Sequence, residues 1–185
     1  MKLIGLSGKS GSGKDTVANY LVTNYNYTKL SFGSVLKDVV SCIFGWPRNL
    51  LEGDTKESRE FRNKEDKWWS EHLKIKITPR IALQKIGTDV FRMHFHQDIW
   101  LLILKKQITK YDKVVVTDIR FLNECNMIKE IGGIIMKISR DNIIKDTHLS
   151  ENILDNIKFK YNITNNGTIE ELNKKINSIV INNIY

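Results

Sequence analysis

Two cysteines are all that the 185 residues hold, Cys42 and Cys125, and they stand at no metal-ligand spacing. That excludes a disulfide-stapled secreted domain and a zinc module, so reduced thiols in a cytosolic protein are expected. No apolar run approaches the roughly 18 residues that a membrane span needs, so no membrane partner is expected. Lys9 and Lys14 interrupt the apolar start of the chain, which argues against a signal peptide. No internal repeat and no domain boundary can be read. What is present is 41% hydrophobic and 9% aromatic residues, enough for a core and too much for a disordered chain. Lys and Arg number 29 against 21 Asp and Glu, leaving a net charge of +8. The excess is spread along the chain rather than gathered in a tail, which suits nucleotide phosphates better than nucleic acid. The length fits one domain, residues 1–185, carrying an inserted flap.

The strongest positive signal is Gly8-x4-Gly13-Lys14, set between the apolar run Leu3–Leu6 and a helical pattern that begins at Lys14. Successive backbone N–H groups in such a turn make a concave nest for an anion, and the helix start adds partial positive charge. Gly8, Gly11 and Gly13 allow positive φ and close approach, and Lys14 reaches the β- and γ-phosphates. Lys9, Ser10 and Ser12 complete the expected ATP cradle. Asp15 follows the lysine where a hydroxyl is usual, and the hydroxyl is displaced to Thr16. The Mg²⁺ ligand is therefore open between Asp15 and Thr16, with Asp118 as a second candidate.

The rest of the chain alternates strand and helix. Val17, Ala18, Leu21, Val22 and Tyr25 fall at helical spacing, residues 28–32 read as a short strand, and Val35–Phe44 as a helix. The charged stretch from Pro47 to Lys67 is too long for an ordinary loop and is expected to carry helix and move. Thr78-Pro79 caps a helix running to about His94, and another covers residues 98–109. Val114–Thr117, Ile134–Ile138 and Tyr161–Thr164 are strands, with helices at 122–131 and after Thr168. The pattern predicts an α/β fold with a parallel sheet covered by helices on both faces.

Ligands of such sheets sit at the carboxyl ends of strands, where Asp118 stands, followed by Arg120 and Glu124. Arg59, Arg62, Arg80 and Arg92 concentrate guanidinium groups that could grip a phosphorylated acceptor bidentately. Gln84 and Asp89 could meet a base edge. Trp68, Trp69 and Trp100 are read as core first and stacking surfaces second. His94-Phe95-His96 lacks the third ligand that a metal reading needs. Arg140 and Lys145 are the cations of a polar segment containing His148-Leu149-Ser150-Glu151, and Asn165-Asn166-Gly167-Thr168 forms a turn near the phosphate loop.

Taken together, Gly8–Thr16, Arg59-Glu60-Phe61-Arg62, Trp68-Trp69, the block Thr78-Pro79-Arg80…Leu83-Gln84-Lys85-Ile86-Gly87-Thr88-Asp89…Arg92, Trp100, Asp118–Glu124, His148–Glu151 and Asn165–Thr168 resemble the deoxynucleoside monophosphate kinases of tailed bacteriophages and large DNA viruses. The likeness runs nearly end to end, and that family tends to carry Lys-Asp-Thr at the loop's end. It implies a three-layer P-loop kinase fold with a monophosphate-binding flap at about 47–78 and a lid at about 140–155. It implies ATP as donor, Mg²⁺ as cofactor, and a nucleoside or deoxynucleoside monophosphate as acceptor. Lys14, Arg120 and Arg140 would be catalytic, and Asn166 would join the ATP site. Arg59, Arg62, Trp69, Arg80, Gln84, Thr88, Asp89 and Arg92 would hold the monophosphate. A location in the cytoplasm, that of the host if viral, is expected, and a homodimer is left open. Two alternatives remain: another small-molecule P-loop kinase, of the adenylate or dephospho-coenzyme A type, and a non-catalytic protein that uses ATP as a switch.

Overall fold

The computed structural model describes residues 1–9, 11–141, 157 and 159–184. Ser10, Lys145, His148–Glu151 and nearly all of the expected lid lie outside them. In chain order the elements are β1 (Lys2–Ser7), α1 (Lys14–Tyr25), β2 (Thr28–Leu30), α2 (Ser34–Phe44), a 3-10 turn (Arg48–Leu51), α3 (Lys56–Asn63), α4 (Lys67–Leu73) and α5 (Pro79–Gln84). There follow a π-helical stretch (Lys85–Phe95), α6 (Ile99–Ile108), β3 (Lys113–Ile119), α7 (Leu122–Glu130), β4 (Ile134–Ser139), β5 (Tyr161–Thr164) and α8 (Ile169–Ile184). The chain forms two compact units, one of Met1–Ser31 with Ile103–Tyr185 and one of Phe32–Leu102.

In the first unit the five strands form one parallel sheet in the order β2-β3-β1-β4-β5. Alternation sorts its faces. Ile4, Leu6, Val115, Met136 and Ile138 pack with Val17, Leu21, Leu172 and Ile176 of α1 and α8. On the other face, a Cβ at Gly5 would meet Ile119, Ile128 and Ile135, so α7 packs there. Full burial of each such aliphatic side chain is worth roughly 1.5–3 kcal/mol, which makes this double-faced core the main source of the unit's stability. The expected three-layer α/β architecture is present. β1 runs centrally and ends at Ser7, which pairs with Lys137 of β4 and Ile119 of β3, so three strand ends surround the glycine-rich turn.

In the second unit Val40, Trp46, Leu51, Ile77, Ala82 and Leu83 form a separate core, flanked by Phe44, Phe61 and Trp69. The charged stretch after Pro47 does carry helix, in α3 and α4. Thr55 and Ser58 cap α3 reciprocally, and the Asp66 carboxylate accepts from the Trp69 amide at the start of α4. Asp66 also accepts from Trp46 Nε1 at 2.8 Å, tying the helix start to the core. The Thr78 hydroxyl caps α5 through the Ile81 amide, with Pro79 at the first position, as the sequence predicts. The helix then widens: at its end the His96 amide donates to Phe91 O, five residues back. A single regular helix to about His94 was the expectation; the stretch ends at Phe95 but with π geometry from Lys85 onward.

Candidate active site

Three glycines shape the turn after β1. Gly8, Gly11 and Gly13 have φ of 147°, 78° and 104°, all in the region that penalises a Cβ. At Gly8 a Cβ would come within 2.1 Å of Ile138 O, and at Gly13 within 2.4 Å of Asn165 Nδ2. Glycine is therefore required at both by space as well as by φ. Lys14 Nζ donates to Gly8 O at 2.6 Å and to Lys9 O at 2.7 Å, which holds the ammonium over the turn. Ser12 is fully buried, and its hydroxyl has no hydrogen-bond partner among the described residues. Thr16 is half-buried in the first turn of α1, while Asp15 is exposed and ion-paired with Lys29 of β2 at 2.7 Å.

The neighbouring strand ends bring further charge. Asp118 lies one residue before the Ile119–Ser7 pairing, half-buried beside the root of the loop. The Glu124 carboxylate, 2% exposed, accepts from the amides of Arg120 and Phe121 at 2.8 and 3.0 Å and so fixes the backbone that carries Arg120. Arg120 and Arg140 are both exposed, each directly past the end of its strand. Asn166 pairs with Asp141, and it is Asn165 that reaches the loop, donating to Ser12 O at 2.9 Å.

The second unit gathers the other predicted residues into two groups. Asn63, at the end of α3, donates to Arg59 O at 2.9 Å and accepts from Arg80 Nε at 2.8 Å, joining α3 to α5. Arg62 donates to Glu52 O and lies over Gly53, where a Cβ would meet its Nη1 at 2.1 Å. Gln84, Thr88 and Arg92 recur every four residues along the helix from Pro79 to Phe95. Asp89 pairs loosely with Lys85 at 3.9 Å on an exposed surface. Trp69 stands edge-on to Phe44, with ring centroids 4.9 Å apart, and donates Nε1 to Phe44 O. Trp100 is buried and donates to Gly87 O at 3.0 Å. Trp68 departs from the core expectation: it is 58% exposed and stacks on His72. One ion network joins Lys37 and Asp38 of α2 to Arg48 and Glu52. Burial alone would raise the Glu52 pKa, but its bonds to Lys37 at 2.5 Å and to Arg48 outweigh that and hold it below the ordinary carboxylate value. Among the described residues no cluster of three or more His, Cys, Asp or Glu could hold a metal by itself.

Asn63, Asp66, Lys29 and Asn165 escaped the sequence reading as site organisers. Each acts through a partner distant in sequence, and only the adjacency of Asn165 to the expected turn residue Asn166 hinted at any of them.

A glycine turn with its lysine between a central parallel strand and a helix defines a P-loop kinase fold. Two solved structures share it at 15% identity and 98% coverage of this chain: one from Thermus thermophilus (97% of its own chain, TM-score 0.52) and a dephospho-CoA kinase from Campylobacter jejuni (96%, TM-score 0.51). The sequence model of the family described as Deoxynucleotide monophosphate kinase matches residues 47–176. A protein of Acanthamoeba polyphaga mimivirus, provisionally named a deoxynucleotide monophosphate kinase, is 36% identical over 198 residues, covering 98% of this chain and 97% of its own. The deoxynucleoside-5'-monophosphate kinase of Escherichia phage T5 is 28% identical, covering 77% of each chain. The deoxynucleotide monophosphate kinase of Enterobacteria phage T4 is 26% identical, covering 95% and 97%. The chain belongs to the deoxynucleotide monophosphate kinase family and is a kinase. No helix among the described residues is long and apolar enough to cross a membrane.

Proposed function

We propose that this kinase transfers the γ-phosphoryl group of ATP to a deoxynucleoside monophosphate, giving ADP and the deoxynucleoside diphosphate. The observation that carries the reading is the reach of the family match: residues 47–176 include every arginine assigned to the acceptor and exclude the phosphate loop. The match thus reaches well beyond the widely shared loop, over the arginine-rich stretch as well as Asp118, Arg120 and Arg140, and a switch protein would have no use for a second anion-binding set. We read residues 1–185 as one catalytic domain, with about 47–78 as its flap.

ATP lies on Gly8–Thr16, with Lys14 turned toward the β- and γ-phosphates. Arg59, Arg62, Arg80 and Arg92 hold the acceptor's phosphate, and Trp69, Gln84, Thr88 and Asp89 shape the space for its nucleoside. The acceptor's phosphate oxygen attacks the γ-phosphorus in line, and the bond from that phosphorus to the bridging oxygen of ADP breaks. The attacking oxygen is already anionic at neutral pH, so no general base is required. Catalysis is then positioning and charge neutralisation, with Arg120 and Arg140 as the cations beside the loop. Mg²⁺ fits the donor set, since the Thr16 hydroxyl and the Asp118 carboxylate are hard oxygen ligands on the loop helix and the adjacent strand end. Mg²⁺ commonly keeps waters and substrate phosphate oxygens beside one or two protein ligands. When bound, it supplies charge neutralisation on the triphosphate. Asp15, engaged by Lys29, serves the loop rather than the metal in this reading.

The test is a coupled assay with ATP, Mg²⁺ and paired ribo- and deoxyribonucleoside monophosphates, with Lys14→Ala as the blank. Phe61, Trp68 and Trp69 are the candidate wall beside C2′, where an unpaired hydroxyl costs roughly 1–3 kcal/mol, or about five- to 150-fold in kcat/KM. Turnover of deoxynucleotides above their ribo partners is expected. Turnover of no monophosphate would overturn the reading, and equal rates for every pair would leave a general nucleoside monophosphate kinase.

A further inference from the structure

The turn Asn165-Asn166 touches two chemically important places in the first unit, one with each side chain. Asn165 is fixed from its backbone, where its amide donates to Ser139 O at 2.7 Å, and its Nδ2 donates to Ser12 O at 2.9 Å. Gly13 leaves no space between them, since a Cβ there would meet Nδ2 at 2.4 Å. The peptide joining Ser12 to Gly13 is planar and trans, so its carbonyl and its N–H point in opposite directions. Holding the carbonyl on Asn165 therefore aims the Gly13 N–H away from Asn165, and the direction of that donor is what an anion-binding nest depends on. Asn166 works on the other side. Its Oδ1 accepts from the Asp141 amide at 2.9 Å, and its Nδ2 donates to Asp141 Oδ2 at 2.5 Å. This two-point grip pins the backbone immediately after Arg140, where β4 has just ended.

We propose that Asn165 and Asn166 are positioning residues for phosphoryl transfer: Asn165 sets the phosphate loop through the Ser12 carbonyl, and Asn166 sets the strand exit that carries Arg140 through Asp141. Adjacent residues with different tasks should separate in kinetics. Asn165 acts on the ground-state grip of ATP, and Asn166 acts on a cation needed as charge moves.

The inference rests on the reading of Gly8–Thr16 as the ATP loop, and the experiment keeps the two apart. ADP affinity, ATP KM, acceptor KM and kcat are measured for Asn165→Ala, Asn165→Asp, Asn166→Ala, Asp141→Ala, the double variant Asn166→Ala/Asp141→Ala, and Lys14→Ala. Loss of one hydrogen bond and of the peptide orientation should weaken ADP and ATP about tenfold in Asn165→Ala, with acceptor KM unchanged. Asn165→Asp keeps the shape and backbone bond but sets an acceptor against a carbonyl, so it should weaken ATP at least as much while the melting temperature stays near the parent's. That arm decides the matter should the alanine variant fold poorly. Asn166→Ala and Asp141→Ala should each lower kcat about three- to tenfold with ATP KM within twofold, and the double variant should be no worse than either, as expected of a pair acting as one unit. Nucleotide affinity within twofold of the parent in both Asn165 variants overturns the first role. Additive losses at Asn166 and Asp141, unchanged kcat, or a raised ATP KM in Asn166→Ala (which would make it a direct ATP ligand) overturns the second. Full ATP affinity and turnover in Lys14→Ala would instead overturn the donor-loop reading itself.

Discussion

Lys29 on β2 holds the carboxylate of Asp15, the residue that follows the loop lysine, with Nζ 2.7 Å from Oδ1. The two side chains are 39% and 63% exposed, so the pair adds little to stability. Its consequence is electrostatic. A carboxylate in the first turn after the phosphate loop repels a triphosphate unless it is neutralised, and Lys29 is the cation that does so. Lys29→Met should weaken ATP binding about two- to fivefold, the scale of an exposed charge pair, and more at low salt than at high. Asp15→Asn should abolish the effect of Lys29→Met. Isothermal titration of ATP and of ATP with Mg²⁺ checks this; a Lys29 effect that persists in the Asp15→Asn background would mean that Lys29 meets phosphate directly.

Gly8 and Gly11 both have positive φ, yet they should not tolerate alanine equally. At Gly8 the added carbon would press on the Ile138 carbonyl at 2.1 Å, a backbone atom of the central sheet that cannot swing aside. At Gly11 nothing lies within 4 Å, and only the φ of 78° resists. Gly8→Ala should reduce ATP affinity by at least about 100-fold, from strain and loop displacement together, and Gly11→Ala by about tenfold, the cost of one left-handed residue. Nucleotide affinities in the reverse order would count against the loop geometry.

Asn63 ties Arg80 of α5 to the end of α3, which carries Arg59 and Arg62. If these arginines hold the acceptor, Arg62→Ala, Arg80→Ala and Arg92→Ala should each raise the monophosphate KM or lower kcat while ATP affinity stays within about twofold. Asn63→Ala should imitate Arg80→Ala more weakly, because it frees the guanidinium without removing it. Steady-state kinetics with each substrate varied in turn decides this. A raised ATP KM with normal acceptor kinetics would move the arginines to the donor site.

The residues that were legible from sequence are those whose signal is local. The five strands, the Thr78 cap and the loop from Gly8 to Thr16 announce themselves within a few positions, since alternation, capping and glycine geometry are short-range. The strand order was not readable, because adjacency of β1 to both β3 and β4 depends on pairings more than 100 residues apart. Nor was the widening of the helix at Lys85, because a hydrogen bond that reaches five residues back instead of four leaves no signature in residue type. Of two adjacent asparagines, the one facing the loop is chosen by the turn's backbone, which sequence does not print. Trp68 looked like core beside Trp69, but on the two-turn α4 it is the half-buried Trp69 that packs on Phe44, and Trp68 is left exposed.

The two thiols should react in sequence. Cys125 is buried on α7, and desolvation, with Glu124 adjacent, pushes its pKa up to about 11. Cys42 is exposed on α2. A thiol reagent at neutral pH should modify one cysteine quickly and the second only on unfolding, since the thiolate is the reactive species. Mass spectrometry of the native protein after brief alkylation should find the label on Cys42 alone; label on Cys125 at a similar rate would contradict its burial against the sheet.

Glu52 gives the protein an acid-sensitive anchor. Burial pushes its pKa up, but hydrogen bonds and charge from Lys37 and Arg48 more than compensate, and the folded value lies below the ordinary 4.5. A carboxylate whose pKa falls on folding stabilises the protein above its unfolded value and loses that contribution as pH drops through the folded one. The stability owed to this network should therefore be fully present at pH 7 and fade below about pH 4.5. Glu52→Gln removes the charge at every pH. Its melting temperature should lie below the parent's at pH 7, and the gap should close as both are taken through pH 4 toward pH 3. The partly exposed site makes the gap modest and salt-dependent, so low ionic strength is the condition of choice. A gap that stays constant with pH would mean that Glu52 contributes shape rather than charge to the turn that follows Arg48–Leu51.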